Sequence, residues 1–377
     1  MQVINICKKT FNFWHKMKSL KILRREYTLK ELFIFKKSIL RILVDPRKIA
    51  NFLLIKLSFF LKSNICLGLP INLNIEPSGE CNYNCLKCGR LSDAYFDPHN
   101  NNKNKQMPFV RFRRIIDDIG KYLLTLRLWH FGEPLMNQDI VKMVKYAKEK
   151  NIIVAISSNL SLLDAELAEG LIREKLDYLL VSFDGASAET YKLYHGVDGF
   201  NSVINNIKTI VGLKKKLKTK LPFIELQFIV MKENENEINS LNKLAHSLGV
   251  NKLSYVRLDA TFIGDNVCKS REDILPRNKN YVLNENKAKS YKNCEIPWTG
   301  SIVRYSGDVI PCVTDVGQRF TMGNLFPEGN YFSFRRIWNN NKYIKFRKSV
   351  SKGIDKSSIC FGCLYRNNNN EDQIKMQ

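Results

Sequence analysis

The chain has 377 residues, of which 44% are hydrophobic, so it can form one large domain with an appendage or two to three smaller domains. No apolar run reaches the roughly 18 residues that a transmembrane helix needs, which excludes an ordinary membrane-spanning helix. The formal net charge of +24 predicts attraction to nucleic acid, anionic lipid or acidic substrates without identifying one of them.

Residues 1–68 are predicted to form a basic, helical extension. Residues 1–70 hold 15 Lys and Arg against three acidic residues, which accounts for half of the net charge. The segment 52–61 is strongly apolar but too short to span a bilayer. It either packs against the protein or a partner, which we favour, or lies on a membrane surface with its lysines at the headgroups. We recognise no helix-turn-helix or aromatic-rich RNA motif, which disfavours nucleic acid.

The ten cysteines indicate metal sites rather than a disulfide framework. The chain is long, shows no recognisable secretory signal, and spaces its cysteines as metal ligands are spaced. This pattern predicts a reducing, cytoplasmic location, with membrane association through the extension left open.

The first set of cysteines follows a predicted strand. Its members fall within eight residues, in the spacing Cys-x3-Cys-x2-Cys: Cys81, Cys85 and Cys88. Alternating polarity over residues 71–75 predicts a strand, and residues 77–79 predict a turn, so the thiols lie on a loop. Three thiolates are one short of the usual four ligands of an iron–sulfur cluster, so one iron remains able to bind another ligand. A structural zinc knuckle is the alternative, with His99 as the nearest fourth ligand.

The segment Ile75-Glu76-Pro77, followed by these cysteines, resembles the start of a radical S-adenosylmethionine (radical SAM) enzyme. The resemblance implies that the cysteines hold a [4Fe–4S] cluster whose fourth iron is chelated by S-adenosylmethionine (SAM). In this family one electron, from a donor such as flavodoxin or ferredoxin, cleaves SAM to a 5′-deoxyadenosyl radical that removes a substrate hydrogen atom. Lys87 stands where the family usually has an aromatic residue, which affects packing near the adenine rather than cluster ligation.

Residues 71–258 alternate between strand and helix patterns. Short apolar runs predict six strands: 71–76, 126–131, 152–157, 178–183, 223–230 and 252–258. Apolar stripes that begin at Ile140 and Ile238 predict helices between strands, and Gly249 predicts the end of the second helix. Six β–α units imply an α/β fold with a parallel sheet and right-handed crossovers. The resemblance makes this a partial (β/α)6 TIM-type barrel, with its chemistry at the C-terminal strand ends.

Motifs at these strand ends resemble the SAM-binding motifs of the family. The segment His130-Phe131-Gly132-Glu133-Pro134 resembles the Gly-Gly-Glu-Pro motif, which holds the SAM amino group, with Phe131 in place of the first glycine. The resemblance therefore assigns SAM contacts to Gly132 and Glu133. It assigns further SAM contacts to polar residues at the ends of the third and fourth strands: Asn159, Ser182 and Asp184. It also assigns one to His195, which stands where the family often has arginine.

Four more cysteines lie beyond the predicted barrel: Cys294, Cys312, Cys360 and Cys363. Gly307-x4-Cys312 and Cys360-Phe361-Gly362-Cys363 resemble parts of the SPASM/twitch extension of radical SAM enzymes. Full SPASM domains have more cysteines and two auxiliary clusters, so the resemblance implies one auxiliary [4Fe–4S] cluster here. A zinc ribbon with four cysteine ligands is the alternative, and spacing alone does not separate the two.

The predicted organisation has five parts. They are a basic helical extension, a radical SAM core, a linker, a small Cys-rich auxiliary-cluster domain and a disordered tail: 1–68, 69–264, 265–292, 293–366 and 367–377. The tail is assigned from its polar composition.

The resemblance predicts an enzyme that starts its reaction by hydrogen-atom abstraction. We favour oxidation, dehydrogenation or epimerisation of a small molecule, carbohydrate or lipid-linked substrate. Residues 1–68 show no strand-and-helix alternation typical of the peptide-binding domain of some relatives, although a peptide- or protein-modifying maturase stays open. A different class also stays open, namely a non-catalytic protein with two zinc-bound cysteine sites and a basic arm that grips nucleic acid or membrane.

Overall fold

The computed structural model describes residues 19–22, 25–28, 35–86, 88–91, 97, 99, 104–257, 275–281, 294–315, 318, 320–352, 360 and 373–374. Cys363 lies outside the described residues, as do most of the predicted linker and most of the predicted tail.

The described residues contain strands at both ends of the chain and along its middle. The strands are β1 (Ser19–Ile22), β2 (Arg25–Thr28), β3 (Asn72–Ile75), β4 (Thr125–Leu128), β5 (Ile153–Ser158), β6 (Tyr178–Ser182), β7 (Phe223–Val230), β8 (Lys252–Arg257), β9 (Gly300–Val303), β10 (Asp308–Ile310), β11 (Gly323–Asn324) and β12 (Gln373–Ile374).

The α-helices precede, connect and follow these strands. They are α1 (Lys36–Leu43), α2 (Pro46–Phe60), α3 (Phe109–Ile119), α4 (Ile140–Glu149), α5 (Ala165–Arg173), α6 (Ala188–His195), α7 (Phe200–Lys216), α8 (Ile238–Leu248), α9 (Ile296–Thr299), α10 (Phe334–Trp338) and α11 (Asn341–Lys352). Among the described residues, no helix combines the length and the apolar character needed to cross a membrane.

The centre of the fold is a parallel sheet in which β3 to β8 lie side by side in chain order. At least one helix connects each strand to the next. This arrangement confirms the predicted α/β fold of the partial-barrel type, and all six predicted strands are present with ends shifted by a few residues. The strands are buried on both faces, as parallel strands covered by helices are.

The predicted helical stripes lie against this sheet. In α4 and α8 the buried residues are those at helical spacing: Ile140, Met143, Val144, Ala147, Ile238, Leu241, Ala245 and Leu248. Gly249 follows α8 with φ of 70°, the left-handed conformation that ends many helices. Apolar periodicity therefore identified both the helices and the faces that they bury.

The N-terminal extension differs from the prediction in one respect. It contains the helices α1 and α2, as expected, but also an antiparallel hairpin of β1 and β2, with Leu20 opposite Tyr27. Strand β1 (Ser-Leu-Lys-Ile) alternates polar and apolar residues, but β2 (Arg-Glu-Tyr-Thr) does not, so the pattern is a weak strand signal in a strongly basic segment. The extension therefore does combine strands with helices, contrary to our prediction.

The C-terminal region is not a separate layer. Strand β9 pairs in parallel with β3, from Asn72 opposite Gly300 to Ile75 opposite Val303, and β10 and β11 extend the sheet beyond it. An unpaired β3 would leave its backbone donors and acceptors exposed, and β9 satisfies them. The predicted core and the predicted C-terminal domain therefore contribute strands to one continuous sheet.

The opposite edge of the sheet is also covered. Strand β12 pairs antiparallel with β8, with Gln373 opposite Val256. Composition predicted a disordered tail from residue 367, and these two residues correct that prediction. Polar composition does not exclude a short strand where an open sheet edge offers backbone partners.

Two tryptophans of the C-terminal region donate hydrogen bonds to the end of the extension. The indole of Trp298 donates to the Ser63 carbonyl at 2.8 Å, and the indole of Trp338 donates to the Gly68 carbonyl at 2.9 Å. Asn339 bonds both the backbone N–H and the carbonyl of Cys66, at 3.0 and 2.9 Å. The segment 63–68 is thereby held between the barrel and the C-terminal region.

Candidate functional site

The predicted site residues meet at one edge of the parallel sheet. The cysteine loop follows β3, the motif at residues 130–134 follows β4, and Asn159 and Asp184 follow β5 and β6. Because the C-terminal ends of parallel strands lie at the same edge, these segments are neighbours in space.

Two loops hold the start of the cysteine loop in place. The backbone N–H of Glu133 donates to the Glu80 carbonyl at 2.7 Å. The side-chain amide of Asn159 donates to the Asn82 side-chain oxygen at 2.9 Å and lies 3.9 Å from the sulfur of Cys81. The first cysteine is therefore fixed by the ends of both β4 and β5.

Glycine is required at position 132 by the closeness of these loops. A Cβ atom on Gly132 would lie 1.9 Å from the Ser78 carbonyl oxygen and 2.6 Å from that of Glu80. Such distances are far below van der Waals contact, so any side chain would push the two loops apart. The Phe131 ring, in place of the family's first glycine, packs beside Gly89, just after the third cysteine.

The carboxylate of Glu133 is buried and already bonded by the protein. One oxygen accepts from the Leu135 N–H at 3.0 Å and the Ser158 hydroxyl at 2.7 Å, and the other accepts from the Asn159 N–H at 2.9 Å. A carboxylate oxygen has two lone pairs, so the second oxygen can accept one more donor. Burial raises the pKa of Glu133 to about 7.

His195 connects the second cysteine to the end of β6. Its Nδ1 lies 3.2 Å from the Cys85 sulfur, and its Nε2 accepts from the Asp184 N–H at 3.4 Å. Burial lowers the pKa of His195 to about 3, so the ring is neutral. The Asp184 N–H bond to Nε2 favours the tautomer that carries the ring proton on Nδ1, on the side of the sulfur.

The Asp184 carboxylate is buried and contacts Ile229 and His195. One carboxylate oxygen accepts from the Ile229 N–H at 2.7 Å, and the other lies 3.5 Å from Nε2 of His195. Burial raises the pKa of Asp184 to about 7. Ser182, two residues earlier, is half-buried at the end of β6. Asp184 therefore orients its neighbours, whereas Ser182 is more accessible.

The thiols of the cysteine loop suit an iron–sulfur cluster. Burial, followed by the neighbouring Cys88, raises the pKa of Cys85, and burial also raises the pKa of Cys81. Iron would supply the positive charge that stabilises the thiolates, and the Tyr83 N–H already donates to the Cys81 sulfur at 3.4 Å. The described residues include no group of three His, Cys, Asp or Glu side chains around a single metal ion. Cysteines of a four-iron cluster bind different irons and need not converge on one point.

The second cysteine set is described in part. Cys312 is buried just after β10 and its sulfur accepts from the Thr314 hydroxyl at 3.3 Å. Cys294 and Cys360 are half-buried against the main core, and Cys363 is outside the described residues. His99, the candidate fourth ligand of a zinc knuckle, instead contacts Asp308 at 2.7 Å.

Sequence reasoning missed Glu76 as the centre of a buried network. Its carboxylate pairs with Arg304 after β9 and accepts from the Phe131 N–H at 3.1 Å. Its backbone N–H donates to the Val303 carbonyl at 2.9 Å. The charged residue between a strand and a proline was visible in the sequence, but nothing in the sequence indicated its partner.

A second missed residue is His130, at the end of β4. Its Nε2 is buried and has no hydrogen-bond partner in the described part of the chain. Burial and the nearby Arg304 charge lower the pKa of His130 well below its usual value. A buried polar atom of this kind often marks a place where a ligand or water completes the bonding.

The model of the radical SAM superfamily matches residues 75–244, and the model of the SPASM iron–sulfur cluster-binding domain matches residues 294–364. The chain belongs to the radical SAM superfamily. A radical SAM domain implies a [4Fe–4S] cluster with SAM, and a SPASM domain implies auxiliary iron–sulfur clusters. These matches confirm the predicted cofactors and support iron–sulfur over zinc.

Known radical SAM relatives differ in what they act on. A tungsten-containing aldehyde ferredoxin oxidoreductase cofactor-modifying protein of Pyrococcus furiosus is 24% identical over 302 residues, 73% of this chain and 82% of its own. An AdoMet-dependent heme synthase of Methanosarcina barkeri is 29% identical, but over 46% of either chain. SuiB of Streptococcus suis, bound to its precursor peptide SuiA, is 18% identical with a TM-score of 0.58 and covers 82% of this chain and 73% of its own. The likeness to SuiB shows a shared fold.

Proposed function

We propose that this radical SAM enzyme oxidises or epimerises its substrate after hydrogen-atom abstraction. Cys81, Cys85 and Cys88 hold the catalytic cluster. When bound, the cluster and SAM supply a hydrogen-abstracting radical and an auxiliary cluster supplies an electron acceptor, which together allow net oxidation of a substrate C–H bond. The observation that carries the proposal is the fixation of the cysteine loop by Glu133 and Asn159, at the sheet edge where such folds do their chemistry.

The residues around the loop have distinct proposed roles. Glu133 accepts the SAM amino group through its remaining lone pair, beside the closely packed backbone of Gly132. Ser182 contacts SAM from the end of β6. Asp184 and Asn159 act indirectly, since one bonds His195 and the other bonds the cysteine loop. A small electron-transfer protein such as flavodoxin or ferredoxin supplies the electron.

The C-terminal cysteines are proposed to hold one auxiliary cluster. The four candidate ligands are Cys294, Cys312, Cys360 and Cys363. Four thiolates complete the ligation of one four-iron cluster and leave none for a second. The half-buried setting of Cys294 and Cys360 and the buried setting of Cys312 support a shielded cluster.

A small molecule, carbohydrate or lipid-linked compound is the first candidate substrate. A lipid-linked substrate fits the basic, partly apolar extension. A peptide or protein substrate is the second candidate, and two observations favour it. SuiB has the same fold and binds a precursor peptide, and the hairpin of β1 and β2 removes our main argument against a peptide-binding extension.

The test begins with anaerobic purification and a count of iron and sulfide per chain. We expect about eight irons, from two four-iron clusters, and 5′-deoxyadenosine after addition of dithionite and SAM. The triple variant in which Cys81, Cys85 and Cys88 become Ala should keep about four irons and form no 5′-deoxyadenosine. Cys66→Ala is the matched control, because the Cys66 sulfur contacts the Trp298 carbonyl and belongs to neither set, and the change should leave both readouts unchanged.

Three results contradict parts of the proposal. Retention of 5′-deoxyadenosine formation in the triple variant overturns the catalytic ligand assignment. About four irons in the parent, with zinc present, overturns the auxiliary cluster assignment. Hydrogen transfer from a deuterated peptide, but not from carbohydrate or lipid-linked candidates, replaces the first substrate class with the second.

A further inference from the structure

Helix α2 is oriented with its polar side inward. The residues that it buries against the barrel are mainly polar: Lys48, Asn51, Ile55 and Ser58. The opposite side is apolar and open, with Leu53 60%, Leu57 45% and Phe60 81% exposed. A surface helix of a water-soluble domain normally shows the reverse arrangement.

Hydrogen bonds fix this orientation. The Lys48 ammonium donates to the Leu123 carbonyl, and Asn51 exchanges two bonds of 2.8 Å with the backbone of Leu69. The Ser58 hydroxyl accepts from the Leu67 N–H at 2.9 Å. Rotation of α2 to bury its apolar side would leave these buried groups unbonded, which is costly.

The exposed apolar surface extends beyond α2. Of the 17 large hydrophobic residues that are exposed in the described part of the chain, 12 lie between residues 40 and 67. They come from α1, α2 and the segment that follows α2, and α1 packs against α2. We call this surface the outer face of the extension. Exposed apolar surface concentrated in this way marks an interaction site.

The charges around the outer face indicate its partner. Arg41, Arg47 and Lys62 are exposed cations of the same segment. The single acidic residue of segment 36–68 is Asp45, which caps the start of α2 and pairs with Arg47, while Lys56 of α2 pairs with Glu295. Over residues 1–70, cations outnumber acids by 15 to three. Apolar side chains accompanied by cations match an anionic lipid surface, with acyl chains below and phosphates above.

We propose that the outer face of the extension binds an anionic membrane surface, with α2 lying in the plane of the interface. Leu53, Leu57 and Phe60 enter the boundary between headgroups and acyl chains. The exposed cations of the same segment contact lipid phosphates. The barrel remains on the aqueous side because the buried polar side of α2 is bonded to it. This inference does not depend on which reaction the enzyme catalyses.

The test is flotation of the anaerobically purified, cluster-loaded full chain with lipid vesicles. We expect flotation with mixed phosphatidylcholine and phosphatidylglycerol vesicles, less with phosphatidylcholine alone, and less at high salt. The variant with Leu53→Glu and Leu57→Glu should lower the bound fraction by about tenfold or more, because two exposed apolar groups become anions. Arg41→Gln with Lys62→Gln should weaken the preference for phosphatidylglycerol vesicles, because two of the cations are removed.

The matched control changes equally exposed apolar residues elsewhere. Val110→Glu with Leu162→Glu should float like the parent, because these side chains lie on α3 and before α5, away from the outer face. Circular dichroism and iron content should be unchanged in every variant, since the altered side chains are exposed. If the variant with Leu53→Glu and Leu57→Glu floats as well as the parent, the proposal is overturned. Absence of flotation in the parent, or a dimer that this variant dissociates, also overturns it and assigns the face to another partner.

Discussion

Nδ1 of His195 lies 3.2 Å from the sulfur of Cys85. A cysteine sulfur that binds iron carries no proton, so with the cluster bound we expect His195 to be the donor of this hydrogen bond. Hydrogen bonds to the cysteine sulfurs of an iron–sulfur cluster raise its reduction potential, because they stabilise the more negative, reduced form.

Replacement of His195 should therefore shift the potential of the catalytic cluster. We expect His195→Phe, which keeps a ring but removes the donor, to lower the midpoint potential in a titration followed by electron paramagnetic resonance. His195→Asn places an amide N–H near the former position of Nδ1, so its midpoint potential should lie between those of the parent and His195→Phe. A potential unchanged in His195→Phe, with loss of stability alone, would show that the contact is structural.

Gly132→Ala should reduce cluster loading. The added Cβ would lie 1.9 Å from the Ser78 carbonyl oxygen, so the loop after β4 must separate from the cysteine loop. We expect about half of the iron of the parent to be lost, since one of two clusters is affected. Gly212→Ala in α7 is the control, because nothing lies within 4 Å of its Cβ, and it should stabilise the chain by about 1 kcal/mol. If the Gly132→Ala variant keeps its full iron content, the conclusion that the cysteine loop needs this close contact with the loop after β4 would be contradicted.

Glu76→Gln should destabilise the fold strongly. The change removes the charged partner in a buried ion pair with Arg304, which typically costs about 3–5 kcal/mol. Urea unfolding followed by circular dichroism measures the loss. The control is Lys56→Gln, which breaks a half-exposed pair with Glu295 and should cost about 1 kcal/mol or less. Equal costs for the two changes would mean that the buried pair contributes little.

Glu225 should make stability depend on pH. Burial raises its pKa from 4.5 to about 7, against opposing effects of Lys252 and Ser254. Between these values the folded chain holds a proton that the unfolded chain has lost, so the contribution to stability falls as pH rises and is constant above pH 7. Glu225→Gln avoids this loss and should be more stable than the parent above pH 7 by about 3 kcal/mol.

Urea unfolding at several pH values tests this prediction. The difference between Glu225→Gln and the parent should grow from pH 4.5 to 7 and then remain constant. Glu166→Gln is the control, because Glu166 is exposed in the first turn of α5, and a change there should alter the free energy of unfolding by about 0.5 kcal/mol or less. A difference for Glu225→Gln that is the same at all pH values would contradict the raised pKa.

Local patterns were sufficient to predict the barrel. Apolar runs and helical stripes depend on neighbouring residues, and both identified elements that the structure contains, down to the left-handed Gly249. The cysteine and Gly-Glu-Pro motifs were informative for the same reason, since each lies within a few residues of one strand end.

Contacts between distant segments could not be predicted in this way. Glu76 and Arg304 are 228 residues apart, and each would be an ordinary surface charge if considered alone. The contact between His195 and Cys85 also joins separate elements, so the sequence indicated His195 as a SAM contact in the place of an arginine but not as a neighbour of Cys85. The strands β1 and β2 have four residues each and only β1 alternates in polarity, so the pattern did not predict a hairpin in this strongly basic segment.

The parallel pairing of β3 with β9 has a consequence for synthesis of the chain. During translation β3 emerges early, whereas its neighbour on one side is made only when residues 300–303 leave the ribosome. Until then one edge of the strand that leads into the catalytic cysteines is open to pairing with other chains. Nascent chains stalled before β9 should therefore aggregate or recruit chaperones, whereas completed chains close the edge themselves.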